Sequence, residues 1–420
     1  MARLVYTLLL LLIAPAVPLY LLWRARRQPE YLQHWNERWG FYPRTSQAPQ
    51  DVRTIWLHAV SVGETRATQP LVKLLRQRWP QARILITHMT PTGRQTSADL
   101  YGDGVVSAYL PYDYPWAMRQ FLRHFRPQLG IVMETELWPN LVAACRADNI
   151  PLLLANARLS EKSARGYARF PNLTRQALQA LAAVAAQTAE DAARLTRLGA
   201  RDVQVFGNLK FDITPPPEQL ALGAAWHARW GGRRVLLTAS TREGEEELIL
   251  DAYRSRVRPD LLLVIVPRHP QRFAAVAAMV TARGLHLARR SVTTAPGDDV
   301  QVLLGDSMGE MFAYYAACDV ACIGGSLLDY GSQNLIEACA VGVPVLIGPS
   351  TYNFAEAARA ALDAGAAQQV RNAEEMIARA LELLDTQLPA RHGATAGEAF
   401  TARHRGASER TLRLVERLLD

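Results

Sequence analysis

A chain of 420 residues, 49% hydrophobic and 20% charged, is too long for one core and too apolar for a disordered polymer, so two or three folded domains are expected. Lysine and arginine exceed aspartate and glutamate, 47 against 39, which favours anionic partners. No long basic run or basic-aromatic stripe occurs, which excludes the usual nucleic-acid surface and leaves phosphorylated small molecules or anionic lipids.

From Val5 to Trp23 nearly every residue is apolar, and Arg24, Arg26 and Arg27 come directly after. That length crosses a bilayer, and the basic flank holds the C-terminal bulk in the cytoplasm, so residues 1–27 are expected to form a membrane-anchor helix. Ala14-Pro15-Ala16 loosely mimics a signal-peptide cleavage site, but the basic cluster lies after the apolar run rather than before it, which argues for an uncleaved anchor. Pro15 and Pro18 would kink a spanning helix, so a segment lying in the interface stays open.

Apolar strands then alternate with amphipathic helices. Strands are expected at Thr54 to Ala59, Arg83 to Thr87, Leu129 to Met133, Pro151 to Ala155 and Ala183 to Gln187, which implies parallel βαβ units. Pro215-Pro216-Pro217 forms a semi-rigid connector. After it come Val235 to Ala239, Leu261 to Val266, Val300 to Leu304, Asp319 to Ile323 and Val343 to Ile347, with a closing helical region at Thr395 to Leu419. The expected fold is α/β: a first Rossmann-like domain over 28–214, a hinge over 215–217 and a second over 218–420, facing each other across a cleft. Loops at the carboxyl ends of their strands would bind ligands. Cys145, Cys318, Cys322 and Cys339 lie in apolar settings without paired metal spacing, as buried free thiols do. The nine histidines lack ligand-like spacing, so no metal and no cofactor are expected.

Each strand end carries a polar cluster. Glu64 comes after His58-Ala59-Val60-Ser61 at the start of a helix, where the dipole favours its ionised form; that suits a general base, and equally an ordinary helix-start glutamate. Glu134, after the strand ending at Met133, either orients an attacking hydroxyl or forms a structural ion pair. Lys210, just before the hinge, either faces a leaving phosphate or coats the surface. Pro267 and Arg268 close a buried strand, and the Arg268 guanidinium suits both a base face and a phosphate. Asp306 and Ser307 read as caps, while Met308, Gly309 and Glu310 offer backbone groups to a nucleobase edge. Gly324-Gly325-Ser326 ends a strand and Gly331-Ser332-Gln333-Asn334-Leu335-Ile336-Glu337 opens a helix, an arrangement suited to phosphate, with Glu337 beside a ribose hydroxyl. An ordinary strand-to-helix turn explains the same glycines. There is no P-loop, dinucleotide glycine pattern or nucleophile elbow.

Taken in order, these segments resemble the 3-deoxy-D-manno-octulosonic acid (Kdo) transferases of lipopolysaccharide synthesis. The resemblance rests on Asn36 to Tyr42 after the anchor, the Ser61 to Glu64 turn, Thr90 to Gly93, Leu110 to Asp113, Glu134 to Asn140 and Ala155 to Ser160. It continues through Leu209 to Asp212, Val266 to Pro270, Gly305 to Glu310, Gly324 to Ser326, and Gly348-Pro349 with Asn353-Phe354. It implies a GT-B glycosyltransferase that moves Kdo from CMP-Kdo to a lipid A precursor (lipid IVA) at the cytoplasmic face of the inner membrane. Glu64 would be the general base, and Glu134 and Lys210 would stabilise the transition state. CMP-Kdo contacts would fall on Pro267, Arg268, Met308, Gly309, Glu310, Asn334, Leu335, Ile336 and Glu337. Ser332 departs from the pattern, which usually has a second glycine after Gly331. Two rivals stand beside this reading: a membrane-associated transferase using a UDP-sugar, and a silent scaffold that binds lipid A precursors and would tolerate loss of Glu64.

Overall fold

Fourteen short strands pair into two separate seven-stranded parallel sheets in a computed structural model, which describes residues 2–49, 51–386 and 395–419. In chain order the strands are β1 (Thr54–His58), β2 (Arg83–His88), β3 (Val106–Tyr109), β4 (Leu129–Met133), β5 (Leu152–Ala157), β6 (Ala183–Ala186) and β7 (Val203–Val205), then β8 (Arg234–Thr241), β9 (Leu261–Pro267), β10 (Leu287–Arg289), β11 (Val302–Leu304), β12 (Val320–Ile323), β13 (Val345–Ile347) and β14 (Ala367–Gln369). The chain divides into two units, Met1–Asp212 with His404–Asp420, and Ile213–Arg403.

In the first unit the order is β3-β2-β1-β4-β5-β6-β7. Every residue of β1, β4 and β5 is buried, because parallel crossovers cover both faces of the sheet with helices. Alternate side chains feed opposite cores. Trp56, Leu85, Val132 and Leu154 pack on one face with Phe121 and Phe125, while Ile55, Leu57, Ile131 and Leu153 pack on the other with Leu71, Leu75 and Leu414. In the second unit the order is β10-β11-β9-β8-β12-β13-β14, with Leu236, Leu263, Ile265 and Cys322 in one core. All four cysteines are buried and free.

Three expectations are corrected here. The N-terminal apolar run is not one helix: Ala2–Ile13 and Ala16–Ala25 meet at 55°, and among the described residues no single helix is long and apolar enough to cross a membrane. The break falls at Ala14-Pro15, where proline removes a backbone donor and crowds the preceding turn. The closing helix, in turn, belongs to the first unit rather than the second. Ala407–Leu419 buries Ala407, Leu414 and Val415 in a core of the first sheet. Asp212 fixes the start of that helix by accepting from the backbone N–H groups of Gly406 and Ser408. The division between units falls at Asp212 and Ile213, and Pro217 is already the first residue of a helix, Pro217–Arg229, the position where its missing N–H costs nothing.

Candidate active site

The first sheet reverses its strand order between β1 and β4, and the carboxyl ends at such a switch point are where open α/β sheets bind ligands. Glu64 lies just beyond β1 and Glu134 just beyond β4, so the two carboxylates flank that point. Ser61 caps the six-residue helix Val62–Ala67. Its hydroxyl donates to Glu64 Oε1 at 2.8 Å, and the Val60 N–H donates to Oε2 at 2.9 Å. The carboxylate is thus held by its own turn in a capping-box arrangement.

The Glu64 side chain is nearly buried, and its pKa is pushed up to about 7, first by burial and then by the Glu134 charge, against the two hydrogen bonds that favour ionisation. Desolvation of a carboxylate outweighs the partial charge of a very short helix. The outcome suits proton transfer near neutral pH better than a fully ionised glutamate would.

Glu134 takes a left-handed backbone, φ +56°, unusual for a residue with a Cβ. Its N–H donates to Ala155 O at 2.9 Å. Its carboxylate lies 3.9 Å from Lys210 Nζ and 4.0 Å from Arg158. Burial lowers the Lys210 pKa, and Glu134 opposes that shift. Lys210 reaches this place although β7 is the edge strand. Asn156, at the end of β5, accepts from the Leu209 N–H at 3.0 Å, and Gln187 accepts from Asn208 Nδ2 at 3.0 Å. The structure thus gathers Glu64, Glu134 and Lys210 into one charge cluster. Sequence reasoning gave no part to Arg158 or Asn156, although both stand in the Ala155 to Ser160 segment.

Beneath the Glu64 turn, His58 and His88 end β1 and β2 and are fully buried. Burial is the main cause holding their pKa values down, to about 3 and about 4, so both rings are neutral. His88 Nδ1 lies 2.9 Å from Ala59 O, tying the start of the turn to the neighbouring strand.

In the second unit the strand order reverses between β8 and β12. The nine candidate nucleotide-site residues stand at the end of β9, in the loops after β9, β11 and β12, and in the first turn of the helix that follows β12, all at the same edge of this sheet. Gly324 packs on the end of β8 so tightly that a Cβ there would stand 2.5 Å from Ser240 O. The helix opens later than expected, as Ile336–Val341. Just before it, Asn334 accepts from the Ile336 N–H at 3.0 Å and also donates to Glu337 Oε1 at 3.0 Å. Leu335 and Ile336 are buried and present only backbone. Arg268 lies just after β9, with its N–H donating to Thr241 O at 3.0 Å. Gly309 has φ +80° and Met308 is exposed, while Glu310 is held by Arg290 at 2.8 Å.

One residue that sequence reasoning missed organises this loop. Glu245 is fully buried and accepts from the backbone N–H groups of Arg242 (2.8 Å), Gly325 (2.6 Å) and Leu327 (2.9 Å). Its neighbour Glu246, also buried, takes the Thr241 hydroxyl at 2.9 Å and Arg272 at 3.1 Å. The signal was the acidic run Glu245-Glu246-Glu247 after Gly244 at a strand's end, which resembles any negatively charged helix start. Among the described residues, no group of three or more metal-ligating side chains lies together.

The comparisons with known proteins agree across the whole chain. A family described as 3-Deoxy-D-manno-octulosonic-acid transferase (kdotransferase) matches residues 33–213, and one described as Glycosyl transferases group 1 matches residues 247–398. The chain is 45% identical over 430 residues to the 3-deoxy-D-manno-octulosonic acid transferase of Bordetella pertussis, covering 99% of each. It is 36% identical over 426 residues to the protein of the same name from Haemophilus influenzae, covering 100% of this chain and 99% of that one. In fold, a solved glycosyltransferase structure from Rickettsia africae aligns with a TM-score of 0.58 at 14% identity, over 88% of this chain and 99% of that one.

Proposed function

This chain belongs to the 3-deoxy-D-manno-octulosonic acid (Kdo) transferase family, and we propose that it moves Kdo from CMP-Kdo to a hydroxyl of a lipid A precursor, lipid IVA, by direct displacement with inversion. The observation that carries this reading is the charge cluster at the first switch point, where Glu64 has a pKa of about 7 beside Glu134 and Lys210. Glu64 takes the acceptor hydroxyl's proton as its oxygen bonds the anomeric carbon. The bond from that carbon to the phosphate oxygen breaks, and its electron pair leaves with CMP. Glu134 and Lys210 stabilise the charge that develops, since a fixed ion pair in a desolvated site needs little reorganisation.

The second unit supplies the donor site in this reading. Arg268 balances the cytidylate phosphate, backbone groups of Met308 to Glu310 meet the base, and the turn from Asn334 to Glu337 holds the phosphate and ribose. The N-terminal helix pair attaches the protein to the cytoplasmic face of the inner membrane, lying along the interface. Leu8, Leu12, Leu19 and Trp23 are all at least half exposed there, and Arg26 and Arg27 are exposed at the end of the pair, where anionic headgroups attract them. Arg38 takes no part in that attachment, because it is buried, stacked on Tyr109 and bonded to Met89 O at 3.0 Å.

The test incubates the purified chain with CMP-Kdo and tetraacylated lipid A precursor and weighs the lipid by mass spectrometry. A mass increase of one or more Kdo residues is expected; no adduct from a folded preparation that binds CMP would overturn the reading. Flotation with anionic vesicles tests attachment, with binding expected and then lost in Leu12→Asp/Leu19→Asp.

A further inference from the structure

A hollow of about 820 Å³, with Glu64, Glu134 and Lys210 outside its lining, lies in the first unit among the helices Ala2–Ile13, Glu161–Ala168 and Pro171–Gln179. Its volume is that of a small-molecule pocket. Val5, Leu9 and Phe170 line it while remaining more than half exposed, and Leu137, Pro139 and Leu173 complete its apolar wall. Apolar side chains gathered around one hollow and left to water mark a surface that something covers.

The hollow adjoins the loop that carries Glu134. Leu137 and Pro139 belong to the stretch between Glu134 and the helix Pro139–Ala147, and Tyr167, also in the lining, donates its hydroxyl to Thr135 O at 3.2 Å. Its walls are fastened. Thr7 and Asn140 exchange side-chain hydrogen bonds at 3.1 and 3.2 Å, and Tyr114 donates to Leu10 O at 3.1 Å. Asn140 is itself clasped by Asp113, whose carboxylate accepts from its N–H at 2.9 Å and from the Leu141 N–H at 2.8 Å. No acidic side chain lines the hollow, and Arg169 is its cation among the described residues. That combination suits an uncharged hydrocarbon attached to an anionic head, and offers nothing to a basic peptide.

We propose that this hollow holds one acyl chain of the phosphorylated glycolipid acceptor, seating the lipid beside the Glu134 loop. The inference rests on the reading that the acceptor is a lipid. The N-terminal helix then has a second role, because besides lying on the membrane it forms one wall of an acyl-chain site that draws the acceptor out of the bilayer toward Glu64.

The test compares kcat/KM for the tetraacylated acceptor with that for the same phosphorylated disaccharide stripped of its acyl chains, using CMP-Kdo as donor in one detergent. Gly166 lines the hollow, and a Cβ added there meets nothing within 4 Å, so Gly166→Phe introduces a bulky side chain at the lining from a point that is not itself crowded. Each methylene kept from burial costs about fourfold, so excluding two or three lowers the acylated-to-deacylated ratio about tenfold or more. Phe170→Asp, at an exposed position, should lower it in the same direction. An unchanged ratio in both variants, with Tm and CMP binding retained, overturns the proposal. So does a change confined to oligomeric state in sedimentation, which would assign the hollow to a second copy of the chain. If the wild-type protein transfers Kdo to neither acceptor, the parent reading has failed instead.

Discussion

Both units bury a carboxylate beside the switch point of a parallel sheet, and the two carboxylates are used in opposite ways. Glu245 of the second unit receives three backbone N–H groups drawn from two loops, so its charge is spent on shaping a glycine turn. Glu64 of the first unit receives one N–H and one hydroxyl from its own turn and faces Glu134. The difference teaches that burial alone does not mark a functional carboxylate. What marks Glu64 is burial combined with a like charge and too few donors to offset them, which leaves its proton exchangeable near neutral pH.

The sharpest way to break this contrast is Glu64→Gln, which keeps the shape and removes the base. Turnover should fall by about 10³, within the usual range for a positioned base, while calorimetry should show CMP binding unchanged, because the residues proposed to hold the donor lie in the other unit. In the wild type, log kcat/KM should climb with unit slope below pH 7 and level off above it, since the base must be unprotonated and its pKa is about 7. A flat profile from pH 5 to 9 would remove Glu64 from that role.

Glu245→Ala tests the other side. Three backbone N–H groups, one buried and two partly buried, lose their carboxylate acceptor, which should cost about 3 kcal/mol in urea unfolding and raise the KM for CMP-Kdo about tenfold or more. The inflection near pH 7 should stay in place. A variant whose stability and donor KM match the wild type would mean that the glycine turn holds itself.

A third measurement separates function from stability within Glu64 itself. Its folded pKa of about 7 lies above the ordinary 4.5, so between those values the native state binds more protons than the unfolded one. Stability due to this group is therefore present at pH 4 and is lost as pH rises through 7. Gln mimics the protonated acid, so Glu64→Gln should match the wild type at pH 4 and exceed it at pH 8 by up to about 3 kcal/mol, less the hydrogen bond its amide cannot accept. A variant that loses stability at pH 8 would show that the carboxylate is a structural cap.

The same two units show what the sequence makes legible. Ten strands stand where the apolar pattern places them, and the four it misses, β3, β7, β10 and β14, are the outer strands of both sheets. They run for three or four residues and are only partly buried. An edge strand faces fewer neighbours and lacks the continuous apolar run that announces a central one. The site obeys the same logic. Glu64, Glu134 and Arg268 are legible because each stands in a strand-end cluster that the family resemblance singles out. Glu245, Arg158 and Asn156 act on partners that only the folded sheet brings near: Glu245 and Gly325 are 80 residues apart. The C-terminal helix falls to the wrong unit for a related reason, because amphipathic periodicity identifies a buried face without saying which core receives it.

Lys210→Met should have a smaller effect on turnover than Glu64→Gln and a smaller effect on donor KM than Glu245→Ala, with a distinctive effect on titration. The ammonium sits 3.9 Å from Glu134 and its charge interacts with Glu64. Losing it leaves two carboxylates facing each other, so the kinetic inflection should move upward from about 7, by about one unit or less at such distances in a partly solvated site. A downward movement would place Lys210 outside the cluster.

The smallest expected effect concerns Ser332, which stands where the resemblance led to the expectation of a second glycine. The departure leaves the turn intact: Ser332 takes φ +69°, its N–H donates to Gly325 O at 2.5 Å, and its hydroxyl donates to Gln333 O at 3.1 Å. A left-handed residue with a Cβ costs about 1 kcal/mol, and Ser332→Gly removes that cost. It also removes the hydroxyl's hydrogen bond and frees the unfolded chain, which are worth about the same in the opposite direction. The net change in unfolding free energy should therefore be within about 1 kcal/mol of zero, and the KM for CMP-Kdo should change less than about threefold. A tenfold improvement in donor KM would show that the serine side chain obstructs the nucleotide.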